Sequence, residues 1–158
     1  MEGVRDADAR DAQRILELIS EFLSGLAAGR GGLLLLAEAG LSDQGAIGVK
    51  SLDDHLKDPD HLVLMGTLDG EVCGMGMGHL DHLPDGRALG HLDICYVEPE
   101  ARGVGLGRLL LDSIVVWLTD RGCVGIDGVA LPGDRETKNF FEAAGFKARL
   151  LTMHRSLE

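Results

Sequence analysis

The segment that decides the fold is Tyr96-Val97-Glu98-Pro99-Glu100-Ala101-Arg102-Gly103-Val104-Gly105-Leu106-Gly107. An apolar run ends at Val97, Pro99 breaks it, and a glycine-rich turn leads directly into an amphipathic helix. The first N–H groups of a helix have no partner within the helix, and they favour an anion there. The three glycines would let a phosphate approach the backbone, and Arg102 adds positive charge. The segment therefore predicts an anion-binding turn between a strand and a helix.

This turn does not match the two best-known phosphate loops. No Gly-Lys-Ser or Gly-Lys-Thr follows it, as a Walker loop requires, and its glycines lack the Gly-x-Gly-x-x-Gly spacing of dinucleotide-binding folds. A connection in which the glycines serve only the turn is therefore the alternative, and such a domain would bind no nucleotide.

The chain after the turn alternates helices and strands. Apolar residues recur at helical spacing from Leu106 to Leu118, and Arg121-Gly122 ends that helix. Gly125 to Leu131 is predicted to be a buried strand, and Asp134 to Ala144 a short helix with Asp134 as its N-cap. Phe146 to His154 is predicted to be a final strand.

The chain before the turn begins with helices, and a short strand at Val4-Arg5 is left open as the element that precedes them. Apolar spacing predicts a helix from Ala12 to Leu26, with Asp8 or Asp11 able to cap its start. A short helix is expected at residues 33–39, a loop at 40–48, and a further short helix that opens at Ser51 and closes before Pro59.

Three strands follow these helices. His61 to Leu68 and Glu71 to Leu80 flank the turn-forming pair Asp69-Gly70, which predicts a hairpin, and Ala88 to Val97 forms a third strand. Glycines at 74, 76 and 78 leave one face of the second strand bare, so we expect another element to approach its backbone closely. Hairpin strands followed by β-α-β units predict a mixed α/β (α+β) fold with a mostly antiparallel sheet and helices on both faces.

Length and charge limit the function classes. The 158 residues fit one domain, residues 1–158. With 15 basic and 26 acidic residues the formal charge is −11, which disfavours general nucleic-acid binding and favours encounter with cations and amines. No apolar run approaches the ~20 residues of a membrane span, and the first residues do not resemble a signal peptide. The three cysteines form no CxxC, so we expect reduced thiols, a cytoplasmic location and no membrane partner.

The sequence around the turn resembles a known family. Residues 102–107 are similar to the Arg/Gln-x-x-Gly-x-Gly/Ala signature of the GCN5-related N-acetyltransferase (GNAT) family. Residues 92–99 resemble that family's fourth strand, and residues 139–146 its late helix, in the same order and at the same separation. The resemblance implies a GNAT-like sheet. Residues 27–60 match no motif of the family.

The same resemblance implies a cosubstrate and the residues that hold it. The turn would bind the pyrophosphate of acetyl-CoA, and the pantetheine arm would lie along the fourth strand as an extra strand. The expected cofactor-binding residues are Cys95, Val97, Arg102, Gly103, Val104, Gly105, Leu106, Gly107, Arg108, Asp134 and Phe141. Asp134 stands where the family often has Asn, and a role as a helix cap alone is its alternative.

The implied reaction is direct attack of an amine on the thioester. His91 is the favoured general base because it aligns with a family glutamate and its ordinary pKa of ~6.5 suits proton acceptance. Asp93 is the second candidate, either as the base or as the group that orients the amine. The alternative for His91 and for Asp93 is that each is simply a polar residue on the solvated face of a strand. By strand alternation, His91 and Asp93 share a face with Cys95 and Val97, whereas Tyr96 faces the opposite way.

Besides Asp134, the sequence departs from the family at two further places. Phe141 replaces the tyrosine that usually protonates the leaving thiol, so Tyr96 or water is left for the acid role. Only twelve residues follow Phe146, which predicts shortened C-terminal strands and leaves open a homodimer whose partner completes the site. His79-x-Asp81-His82 offers metal-ligand residue types without a further ligand at a fitting spacing, so no metal is expected.

The predicted function is N-acetyl transfer from acetyl-CoA to a primary amine of a cationic small molecule or peptide. The alternative is a non-catalytic CoA-binding or sensing module with the same fold, which the phenylalanine at position 141 keeps open.

Overall fold

The computed structural model describes residues 1–39 and 49–158, so the loop predicted at 40–48 lies outside the described residues. One five-stranded sheet runs through the molecule in the order β1-β2-β3-β4-β5. The strands are β1 (Glu2–Asp6), β2 (His61–Leu68), β3 (Glu71–His82), β4 (Ala88–Val97) and β5 (Cys123–Asp127). Neighbouring strands are antiparallel except β4 and β5, which are parallel. The predicted mixed, mostly antiparallel sheet is confirmed.

Helices cover both faces of this sheet. They are α1 (Ala12–Ala28), α2 (Gly32–Glu38), α3 (Val49–Lys57), α4 (Leu106–Asp120) and α5 (Arg135–Ala143). Buried side chains of α1, α2 and α3 pack with β2, β3 and β4 into one apolar core. On the other face, α4 forms the centre of a second core, with Leu110, Leu111 and Ile114 fully buried. None of the helices in the described ranges is both long and apolar enough to cross a bilayer.

The bare face of β3 is where α4 packs, as the sequence predicted. A Cβ at Gly76 would lie 3.0 Å from Ile114 Cδ1, and one at Gly78 would lie 2.9 Å from Ile114 Cγ2. The missing side chains therefore let the helix rest directly on the strand backbone.

Local signals explain most element ends. The Asp8 side chain accepts the Arg10 N–H, and Asp11 accepts the Asp8 N–H, which forms a capping box before α1. Asp134 caps α5 by accepting the Thr137 N–H at 3.0 Å. Gly70 takes the positive φ that the hairpin turn requires.

Two predictions about the C-terminal half are wrong. The strand expected at 125–131 lies at Cys123–Asp127, because the chain leaves the sheet at Gly128, where a Cβ would lie 2.4 Å from the Phe141 ring. The final strand expected at 146–154 is not formed within the described residues. Leu150 and Leu151 are adjacent, so they break the alternation that one buried face requires, and both remain largely exposed.

Candidate active site

The site begins where β4 and β5 separate. Their parallel pairing joins Ala88 to Cys123, Gly90 to Ile126 and His91 to Asp127, and β5 ends there. β4 continues to Val97, so its segment 92–97 has a main-chain edge that β5 does not cover. An uncovered strand edge offers N–H and C=O groups to an extended ligand.

The glycine-rich turn follows the end of this open edge. Gly103 and Gly105 have φ values of +87° and +92°, and a Cβ at either position would meet nothing within 4 Å. The Leu109 N–H donates to the Gly105 carbonyl, so the N–H groups of residues 106–108 precede the helical ladder. Arg102 donates from Nε to the Val97 carbonyl at 2.7 Å, which holds its guanidinium at the turn. The mouth of α4 is therefore open and electropositive.

A cleft of about 1240 Å³ joins the turn, the β4 edge, α5 and the α1 side of the sheet. Every predicted site residue except Val104 lines it: His91, Asp93, Cys95, Tyr96, Val97, Arg102, Gly103, Gly105, Leu106, Gly107, Arg108, Asp134 and Phe141. The Leu106 side chain is 1% exposed, so its free group in the cleft is the backbone N–H.

Alternation along β4 was predicted wrongly because the strand contains a β-bulge. Met77 of β3 pairs with Ile94 and Gly78 pairs with Leu92, so Asp93 is an extra residue without its own partner on β3. The bulge reverses which residues face each side. His91 and Asp93 therefore share the α1 face with Tyr96, whereas Cys95 and Val97 face α4.

Cys95 is a poor candidate for an acyl acceptor in this position. Its thiol donates to the Gly107 carbonyl at 3.4 Å, and burial raises its pKa to about 12. The thiol therefore stays protonated near neutral pH and behaves as a small apolar side chain.

Tyr96 lies between α1 and the turn. Its hydroxyl donates to Glu21 Oε2 at 3.0 Å, and its ring lies 5.5 Å from the Arg102 guanidinium. Burial, and then the hydrogen bond to Glu21, raise the pKa of Tyr96. The hydroxyl therefore carries a proton at neutral pH, but that proton is directed at Glu21.

Three histidines form a stack that the sequence patterns did not reveal. His61, His79 and His91 come from β2, β3 and β4, and the register aligns them as direct cross-strand neighbours. The rings of His79 and His91 are 4.6 Å apart at 14°, and those of His61 and His79 are 5.2 Å apart at 19°. The signal in the sequence is one histidine in each of three successive strands, which becomes visible only when the register is known.

Carboxylates surround this histidine stack. His79 Nδ1 lies 2.6 Å from Asp93 Oδ2, and His91 Nε2 lies 3.1 Å from Asp81 Oδ2. The hydrogen bond to Asp93 raises the pKa of His79, against the opposite effect of burial. The face of the cleft that would receive a second substrate is therefore rich in proton-accepting groups.

His79, Asp81 and His91 also bring three metal-ligand atoms within 4.8 Å of one another. Nε2 of His79 and Nε2 of His91 lie 3.7 Å and 3.1 Å from the two oxygens of the Asp81 carboxylate. The three groups therefore pair with one another in this structure. We assign no metal to this group.

Three predicted cosubstrate residues are also used by the protein itself. Asp134 accepts both the N–H and the hydroxyl of Thr137, as expected of a helix cap. Arg108 donates to Asp112 and to the Ala143 carbonyl, which links α4 to α5. The Phe141 ring packs against Phe146 with ring centres 4.9 Å apart.

Comparison with known proteins agrees with this architecture. The profile of the acetyltransferase (GNAT) family matches residues 35–146, which include the open β4 edge, the turn and α5. The chain belongs to the GNAT family.

Individual GNAT relatives cover parts of the chain. The aminoglycoside N(6')-acetyltransferase type 1 of Stenotrophomonas maltophilia is 28% identical over 104 residues, 63% of this chain and 68% of that protein. The glucosamine 6-phosphate N-acetyltransferase of Trypanosoma brucei brucei is 35% identical over 63 residues, 40% of this chain and 41% of that protein. These GNAT relatives support N-acetylation as the reaction class.

A solved structure extends the GNAT comparison to the whole chain. A tetramutant of the BH1408 protein from Bacillus halodurans superposes with a TM-score of 0.80 at 17% identity, covering 98% of this chain and 99% of that one. At this identity the similarity shows the fold alone.

Proposed function

We propose that this GNAT chain transfers the acetyl group of acetyl-CoA to a primary amine of a cationic small molecule or a peptide. The observation that supports this most is the end of the β4–β5 pairing at His91, which leaves segment 92–97 open directly beside the exposed N–H groups of the turn.

The residues present fit a nucleotide thioester. The N–H groups of the turn and the Arg102 guanidinium would bind its diphosphate, and the main-chain groups near Cys95 and Val97 would bind its amide-bearing arm. Acetyl-CoA supplies an activated acyl group with a thiolate as its leaving group. Open space at Gly103 and Gly105 lets the anion reach the backbone.

The acceptor amine would approach from the α1 face. An alkylammonium has a pKa of about 10, so a base that removes its proton raises the reactive fraction near neutral pH. His91 is the proposed base, and Asp93 is the alternative base or the group that orients the ammonium. The freed nitrogen lone pair attacks the thioester carbonyl, the carbon–sulfur bond breaks, and the thiolate takes a proton from water or Tyr96.

The charge of the cleft supports a cationic acceptor. Glu21 of α1 and Asp93 of β4 line it, and Asp127, which also lines it, is paired with Arg149. Aminoglycosides, named in one relative, are polycationic amines, and that class fits an acidic wall better than a phosphorylated amine does. An amine panel should therefore include aminoglycosides, polyamines, amino acids and peptide N-termini.

The test has two stages. Calorimetry with CoA measures cosubstrate binding, and absence of binding at millimolar CoA would refute both the enzyme and the sensor. Release of free thiol from acetyl-CoA across the amine panel then measures turnover. Binding without turnover on any amine favours the sensing module, for which Phe141 is the supporting observation because it cannot donate a proton.

The single domain over residues 1–158, the homodimer and the cytoplasmic location stay predictions from the sequence. Size-exclusion chromatography with light scattering would measure the oligomeric state and test the homodimer that the sequence leaves open.

A further inference from the structure

Two identical tripeptides face each other in the middle of the sheet. β3 contains His79-Leu80-Asp81, and β4 contains His91-Leu92-Asp93. The strands are antiparallel, and their register places His79 directly opposite His91. Each aspartate therefore lies beside the histidine of the other strand, which produces two reciprocal His–Asp pairs.

The two pairs use different ring nitrogens and differ in exposure. In the first pair His79 meets Asp93 through Nδ1 at 2.6 Å, and the Asp93 side chain is 33% exposed. In the second pair His91 meets Asp81 through Nε2 at 3.1 Å, and the Asp81 side chain is 60% exposed. Asp93 lines the cleft and Asp81 does not, so Asp81 approaches His91 from outside the site.

The second pair determines which nitrogen of His91 can act as a base. An ionised carboxylate offers only lone pairs, and Asp81 Oδ2 lies 3.1 Å from His91 Nε2. A neutral His91 ring therefore avoids lone-pair repulsion when its proton is on Nε2. The nitrogen left with a lone pair is then Nδ1. The nearly parallel ring of His79, 4.6 Å away, packs against one side of the His91 ring and limits its reorientation.

We propose that Asp81 is a positioning residue that holds His91 in the Nε2–H tautomer and so leaves Nδ1 to take the proton of the acceptor amine. The catalytic part of this statement rests on the proposed function; the tautomer does not. The proton moves from the ammonium nitrogen to Nδ1, and Asp81 stabilises the resulting imidazolium without touching the substrate. An orienting carboxylate of this kind acts through the histidine alone.

The decisive measurement is the ¹⁵N chemical shift of the ring nitrogens. The chain has six histidines, and loss of a ring signal in His91→Gln assigns the His91 resonances. In the wild type at a pH where the ring is neutral, we expect Nε2 to carry the proton. In Asp81→Asn the amide can donate to Nε2, so we expect a growing fraction of the Nδ1–H tautomer. A wild-type His91 protonated on Nδ1, or an unchanged tautomer in Asp81→Asn, overturns the proposal.

Kinetics supply the second measurement. Asp81→Asn should lower kcat about tenfold while KM for acetyl-CoA stays unchanged, as expected when general-base catalysis is partly lost. Asp81→Glu restores the carboxylate and should recover part of kcat. Asp85→Asn is the matched control, because Asp85 lies in the connection that directly follows β3, carries the same charge and pairs with Arg87; its kcat should stay within about twofold of wild type.

The two failures are distinguishable. If no amine yields thiol with the wild type, the proposed function fails, and the ring-nitrogen shifts still support or overturn the assignment of Asp81. If the wild type turns over and Asp81→Asn matches Asp85→Asn in kcat, the assignment is wrong while the transferase stands.

Discussion

Replacing Gly107 by glutamate should weaken CoA binding while making the protein more stable. Gly107 is the second residue of α4, and its N–H group is one of those exposed at the turn. A Cβ there would lie 3.6 Å from Phe140 Cε2 and 3.8 Å from Val97 Cγ2, both ordinary contact distances. A side chain can therefore enter without moving the backbone, and its carboxylate would lie close to the proposed diphosphate.

The two effects have opposite signs. A carboxylate about 5 Å from a diphosphate of charge about −2 raises the binding free energy by about 2–3 kcal/mol at an effective dielectric constant of about 40–80, which is about 30- to 160-fold in Kd. In the free protein, removing a helical glycine gains about 0.5–1 kcal/mol, and a negative charge in the first turn of a helix gains about 0.3–1 kcal/mol. For a chain of this size, each kcal/mol raises Tm by about 2–4 °C.

Calorimetry with CoA and a thermal melt on the same sample measure both quantities. Gly107→Gln is the matched control, since its side chain has the same shape without the charge. It should gain the stability that comes from removing a helical glycine, and it should lose much less affinity for CoA. If Gly107→Glu bound CoA as tightly as Gly107→Gln, the diphosphate would not lie at this turn. A lower Tm in both variants would mean that the side chain does not fit as described.

Three further predictions concern the base, a partly buried ion pair and the packing of α4. His91→Gln should lower kcat about 100-fold in the thiol-release assay. His154→Gln, in the exposed C-terminal segment, is the control and should leave kcat unchanged. If His91→Gln and His154→Gln had the same kcat, His91 would not be the base. Asp11 accepts two hydrogen bonds from an arginine of β1, and these lower the pKa of Asp11 in the folded protein. The contribution of Asp11 to stability is therefore fully present above its unfolded pKa of ~4. It is lost as the pH falls through the lower pKa of the folded state. Urea melts of Asp11→Asn should therefore differ from wild type by about 1–3 kcal/mol at pH 7 and by less at pH 2–3, and a constant difference would contradict this. Gly78→Ala should destabilise by about 1–3 kcal/mol because its Cβ would press on α4, while Gly25→Ala, whose Cβ meets nothing within 4 Å, should stabilise by about 0.5–1 kcal/mol in the same melts.

Sequence patterns predicted the elements that depend on neighbours along the chain. The hairpin around Asp69-Gly70, the cap at Asp134 and the helix that begins after Gly105 all follow from residues a few positions apart. The sequence also predicted that the face of β3 at Gly76 and Gly78 would be approached closely, because a missing Cβ is visible without a structure. Such signals are local, so they can be identified without knowledge of the fold.

The arrangement of the acceptor side could not be predicted in the same way. Simple alternation placed His91 with Cys95 and Val97, and the bulge at Asp93 placed it with Tyr96 instead. A bulge is a property of the pairing between two strands, so one strand read alone does not contain it. The C-terminal segment also looked like a strand, but a strand at the end of a sheet requires one buried face, and residues 147–154 are exposed throughout.

The amino-acid sequence by itself determined that a strand, a glycine-rich turn and a helix follow one another at residues 88–120, because caps, glycines and apolar spacing act over a few residues. Only the tertiary structure decided that β5 leaves β4 after His91, and that His61, His79 and His91 stack beside Asp81 and Asp93. Those contacts join residues 10 to 36 positions apart, from the Asp81–His91 pair to the His91–Asp127 pairing. Their geometry depends on strand register, and register is determined by the packing of the whole sheet against its helices.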